Sequence, residues 1–149
     1  MTEIFLTEAL IEKIKEAVKD FRLPVENGME RPPKVITGFL PPKRSGIDDD
    51  FPFVIVRADS GKINMEKTDT VVSIIVGCYC EDCEEGHKHC LNVMSRIRNE
   101  LAMLPNNILA RKYVLQFPLE WELPKDQAWK YWQVEMTTTW SCNTPQAEF

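Results

Sequence analysis

The chain has 149 residues, 44% hydrophobic and 28% charged, which suits one soluble globular domain with its own core. A formal net charge of −5 argues against a primary nucleic-acid binder, which carries a basic face. No apolar run approaches the roughly 18 residues that span a bilayer, and the first 21 residues lack the basic start, apolar middle and cleavage site of a secretory signal.

In chain order, Ile4, Leu6, Ala9, Leu10, Ile14, Ala17, Val18 and Phe21 recur at spacings of three and four and predict an amphipathic helix. Thr2 or Thr7 is placed to cap it, and Pro24 to end it. Pro32-Pro33 and Pro41-Pro42 then bracket a short apolar run, residues 35–40. Proline cannot donate to a sheet ladder, so this run reads as a short edge strand or an extended arm. The following loop carries Lys43 and Arg44, then Asp48, Asp49 and Asp50. The three carboxylates lack the spacing of an EF-hand, and an Asp-rich turn accounts for them.

Residues 51–59, FPFVIVRAD, are dense in β-branched and aromatic side chains and predict a central strand. Residues 60–69 read as a polar connection. Residues 70–80, nearly continuous in apolar side chains, predict a second strand covered on both faces and antiparallel to the first. Cys90, Leu91, Val93, Met94, Ile97, Leu101 and Leu104 form the stripe of a second helix, stopped by Pro105. Residues 112–123 alternate as a strand, with Pro118 marking an edge or a bulge. Residues 128–141 alternate again, with Trp132, Val134, Met136, Thr138 and Trp140 on one face. The expected fold is α+β: a single mostly antiparallel sheet of four to five strands, with two helices packed on one face. One domain covers residues 1–149, with 1–3 and 142–149 as loose ends.

The stretch CYCEDCEEGHKHC, residues 78–90, holds four of the five cysteines and both histidines. An odd cysteine count leaves no complete internal disulfide framework and fits a reducing cytoplasm. Cys80, Cys83, His87 and Cys90 make a chemically sufficient Cys3His set for zinc, with Cys78 and His89 as substitutes. Three features favour ordinary packing instead. The two ligand pairs are only three residues apart; Cys78 belongs to a buried strand, and Cys90 to an apolar helix stripe. The preferred reading holds no metal and no cofactor, with zinc at Cys80, Cys83, His87 and Cys90 as the alternative. A redox role for Cys80–Cys83 lacks a thioredoxin-like βαβ context. The chain has no GxxxxGK[ST] loop, GxGxxG turn, HExxH or GxSxG motif, and no enzymatic function is expected. Trp121, Trp129, Trp132 and Trp140 could stack bases or sugars, but the acidic chain favours core or subunit-interface packing.

The runs PPKVITGFLPPKRSG, DDFPFVIVR, LNVMSRIRNEL, FPLEWELP and TTTW, with the strand ending in G-x-Y between them, resemble the tail-terminator or head–tail joining proteins of long-tailed bacteriophages and Gram-positive prophages. The resemblance spans roughly residues 4–141. The Cys and His residues of 78–90 depart from the acidic, polar stretch usual there. The resemblance implies a non-enzymatic structural protein that self-associates into a ring, commonly hexameric, capping the tail tube. Its implied partners are copies of itself, tail-tube proteins and head-connector proteins. It implies no membrane, with DNA only as passing cargo; the net charge of −5 adds the expectation of an acidic lumen that repels DNA. It also implies assembly in the host bacterial cytoplasm and residence in the virion tail. The extended segments 34–45 and 62–69 offer little core. They are therefore expected to make inter-subunit or tube contacts, through Lys34, Lys43, Arg44, Lys62 and Lys67, together with Asp48, Asp49 and Asp50 of the adjoining loop.

Overall fold

A computed structural model describes residues 3–26, 28–40 and 50–145. Helix α1 (Glu3–Val18) leads into two-residue strands β1 (Leu23–Pro24) and β2 (Glu30–Arg31) and the short β3 (Lys34–Thr37). The long strands β4 (Phe53–Ile63) and β5 (Lys67–Cys80) come next, then helix α2 (Gly86–Ala102). A 3-10 turn at Pro105–Asn107 precedes β6 (Ile108–Leu109), β7 (Tyr113–Glu122) and β8 (Lys130–Asn143). No helix among the described residues is long and apolar enough to cross a membrane.

The main sheet has six strands in the order β3-β4-β5-β8-β7-β6, and β1 and β2 form a separate two-stranded sheet. This corrects the expected single sheet of four to five strands. The unforeseen strands β1, β2 and β6 are two residues each. Such pieces are defined by the partner they bridge and are too short to show an alternation. The sheet is also mixed, because β3 runs parallel to β4 while the other pairs run antiparallel.

Strand alternation gives the sheet two different faces. On one, Val54, Val56, Val72, Ile74, Val76, Cys78, Val134, Met136, Trp140 and Leu115 meet both helices. α1 contributes Leu6, Leu10, Ile14, Ala17 and Val18, and α2 contributes Cys90, Val93, Met94, Ile97 and Leu101. A Leu or Ile so buried contributes roughly 1.5–3 kcal/mol relative to an exposed one. Thr7 caps nothing; it lies inside α1, its hydroxyl donating to the Ile4 carbonyl at 2.9 Å.

The opposite face is apolar at one end only. There Phe51, Phe53, Ile55, Ile75 and Tyr79 pack together, with Ile36, Leu40 and Tyr131 against them. Gly77 permits this: a Cβ there would lie 2.3 Å from Phe53 Cζ. The Arg31 guanidinium closes this end, donating to the carbonyls of Pro32, Asp50, Phe51 and Pro52 at 3.0–3.3 Å.

The expected polar connection at 60–69 is mostly ladder. β4 and β5 stay paired from Phe53↔Gly77 out to Ile63↔Thr68, leaving only Asn64–Glu66 as the turn. Residues 59–67 are all exposed, so neither face needed an apolar residue to hold the strand. At this same end, β8 pairs with β5 as far as Lys67↔Asn143, so Cys142 and Asn143 belong to a strand and not to a loose end.

Candidate functional site

The cysteine-rich stretch joins β5 to α2. Cys78 and Cys90 are both buried to 0% exposure, Cys80 is half-buried and Cys83 is exposed. Instead of turning toward Cys80 and Cys83, Cys90 points its Sγ into the core and donates to the Trp132 carbonyl at 3.1 Å. A hydrogen bond to Cys90, then burial, then the nearby thiols of Cys90 and Cys80 push the Cys78 thiol well above its usual range. His87 and His89 are half-buried on the first turn of α2. Among the described residues, no group of three or more His, Cys, Asp or Glu side chains converges to hold a metal, so Cys80, Cys83, His87 and Cys90 are not brought together.

Two tryptophans fasten the junction. Trp132 Nε1 donates to the Cys80 carbonyl at 2.9 Å, and Trp129 Nε1 donates to the Glu81 carbonyl at 3.0 Å. Gly86, the first residue of α2, lies under the Trp132 indole; a Cβ there would come within 2.2 Å of Nε1. The Asp82 carboxylate accepts from the Glu84 N–H at 2.8 Å, and its carbonyl accepts from the Gly86 N–H at 2.9 Å. Trp140 is buried, whereas Trp121 is 49% exposed on β7. The four indoles thus serve separate positions and form no common platform.

The expected contact residues fall in two regions. Lys34 is exposed on β3, at the outer edge of the sheet. Lys62 and Lys67 are exposed on either side of the β4–β5 turn, which carries Met65, 83% exposed, next to Ile63, 75% exposed. Asp50 is half-buried beside the Arg31 clamp. Lys43, Arg44, Asp48 and Asp49 lie outside the described residues.

The helix-free face of the β7–β8 ribbon carries charges that the sequence reading missed. At one end Lys67, Arg111 and Lys112 surround a concavity of about 380 Å³ floored by Val114, Gln116, Ser141 and Asn143. Arg111 sits at the corner of the β6–β7 hairpin, in a two-residue turn with Ala110, both at positive φ. The acid at this end, Asp69, accepts the Ser141 hydroxyl. At the other end, Glu120, Glu122 and Glu135 line a concavity of about 520 Å³ with Thr137 and Trp121. Glu122 stands directly across from Glu135 in the ladder. Between the ends lie Gln116, Thr139 and Thr137, all neutral. Glu135 and Ser141, at the two ends, are six positions apart on β8, about 20 Å at strand rise. Nothing but the strand pairing reveals this grouping, since Lys67, Arg111 and Glu135 are far apart in sequence.

At the centre of the same face, Arg57 Nε donates to Asp59 at 2.9 Å and the Ser73 hydroxyl donates to its other oxygen. Burial opposes ionisation of Asp59, but these hydrogen bonds and the Arg57 charge outweigh it and hold the carboxyl below its usual range. Compared with protein families and with curated proteins, the chain matches none.

Proposed function

We propose that this chain is a non-enzymatic structural protein of a bacteriophage or prophage tail, a tail terminator or head–tail joining component that self-associates into a ring, hexameric as in the family it resembles. The ring caps the tail tube and meets the head connector, and DNA passes through it as cargo. The protein is made in the host bacterial cytoplasm and ends in the virion tail.

The motif resemblance set out above supports this reading, and one structural observation carries it further. Beyond a bulge at Asp59 the β4–β5 ladder continues from Ser60↔Val71 to Ile63↔Thr68, residues 59–67 are all exposed, and the turn carries the exposed apolar pair Ile63 and Met65. A rigid arm with an apolar tip has no role in this chain's own core, and exposed apolar groups of this kind suit contact with another protein. Lys62 and Lys67 flank that tip, and Lys34 lies on the far sheet edge. We assign these residues, with Lys43, Arg44, Asp48, Asp49 and Asp50, to contacts with neighbouring subunits or the tube.

The test is co-sedimentation with tubes polymerised from a tail-tube protein of the phage or prophage proposed to encode this chain. End-binding is expected: the chain pellets with the tubes, and its amount per tube subunit falls as the tubes lengthen. A chain that stays in the supernatant counts against the proposal.

A further inference from the structure

We infer that a second copy of this chain docks head-to-tail on the β7–β8 ribbon, the acidic end of one copy seated on the basic end of the next. This inference rests on the self-association proposed above and names the surface that performs it.

The acidic end carries Glu120, Glu122 and Glu135, all exposed. Among the described residues none of the three makes an ion pair. Glu122 and Glu135 are direct cross-strand partners, and like charges so placed weaken a ladder. A cation brought by another molecule relieves that repulsion. The turn that continues from this end carries Lys125 and Asp126, whose charges offset each other.

The basic end offers such cations. Lys67 and the adjacent pair Arg111 and Lys112 come from two separate places in the chain and border one concavity. Asp69, which accepts the Ser141 hydroxyl, sets one negative charge against these three cations. Lys67 and Arg111 make no ion pair among the described residues. Both ends lie on the face away from the helices, and the strip between them, Gln116, Thr137 and Thr139 with the exposed Phe117 of the β7 bulge, carries no charge.

The two ends are different patches on one chain. A contact in which the acidic end of one copy meets the basic end of the next, without the reverse pairing between the same two copies, is heterologous and closes as a ring; a two-fold pairing that engages both ends at once stops at a dimer. A contact built on charge complementarity is also salt-dependent and adjusts orientation as well as affinity.

Sedimentation velocity on the full chain tests this, at low and at high salt. Wild type is expected to form particles larger than a dimer at low salt and to dissociate as salt rises. Glu120→Lys with Glu122→Lys leaves two basic ends, and Lys67→Glu with Arg111→Glu leaves two acidic ends. Each double variant is expected to lose at least tenfold in self-affinity. Mixed together, the two variants associate again, and a chain carrying all four changes, its ends reversed to net +1 and −1 over the three residues named at each, regains self-association over either double variant. Restoration by the quadruple variant separates this contact from simple misfolding. A wild type no larger than a dimer, or double variants that assemble as wild type does, overturns the inference. The second of those results leaves self-association standing, and tube co-sedimentation tests the functional proposal independently of both.

Discussion

Gly86 and Trp132 interlock at the start of α2: the indole occupies the space a side chain on Gly86 would need, with Nε1 2.2 Å from an added Cβ. The same Nε1 donates to the Cys80 carbonyl, and the Trp132 carbonyl accepts the Cys90 thiol. One residue of β8 thus holds both the end of β5 and the first turns of α2. Gly86→Ala forces the ring away and is expected to cost about 1–3 kcal/mol, the usual range for an overpacked site. Urea unfolding reads the loss, and a variant as stable as wild type would show that the indole moves freely.

A second expectation concerns Thr138, which is fully buried. Its hydroxyl donates to the Val72 carbonyl and accepts from Trp140 Nε1, both at 2.9 Å. Thr138→Val keeps the shape and removes both bonds, leaving the buried indole N–H without a partner. The expected cost is about 1–3 kcal/mol, with Thr138→Ser closer to wild type. Equal stabilities for the two variants would mean that the hydroxyl does not hold the indole.

The thiols give a pH dependence with a definite sign. Cys78 keeps its proton to higher pH in the folded chain than in the unfolded one. Above about pH 8.5, where an unfolded thiol ionises, the unfolded state binds fewer protons, so stability falls as pH rises. From pH 8.5 to 9.5 the loss is about 1 kcal/mol for one such thiol. Tyr79, through its hydrogen bond to Glu81, and Tyr113, through burial, are shifted in the same direction but ionise at higher pH. Cys78→Ala should flatten the slope between pH 8.5 and 9.5. An unchanged slope would assign it to other groups. On alkylation of the native chain, exposed Cys83 should react before buried Cys78 and Cys90.

The legible parts of this fold were those with one wet and one dry side. The alternation of Trp132, Val134, Met136, Thr138 and Trp140 marked both a strand and its buried face, and all but the half-buried Trp132 are deeply buried. The stripe of α2 was equally plain, with Cys90 in it acting as a small hydrophobe. The arm at 59–67 was misread because it is wet on both sides, and a ladder held by its backbone leaves no apolar period. Pro118 pointed to a bulge or an edge; the β7–β8 register does shift between Gln116 and Glu120, which spreads Phe117, Pro118 and Leu119 opposite Thr138. The candidate contact surface was the least visible. Lys67, Arg111 and Lys112 meet only after β5, β6, β7 and β8 have paired. In LEWE, the acids Glu120 and Glu122 looked like the ordinary solvent side of an alternating strand, and only the register sets Glu122 against Glu135.

The most direct test of the proposed function is electron microscopy of tail tubes grown from a tube protein of the proposed phage or prophage with this chain present. The expected result is a ring of this chain on one end of each tube and an arrest of growth at that end. Bare tubes that reach the same lengths with or without the chain would contradict the account.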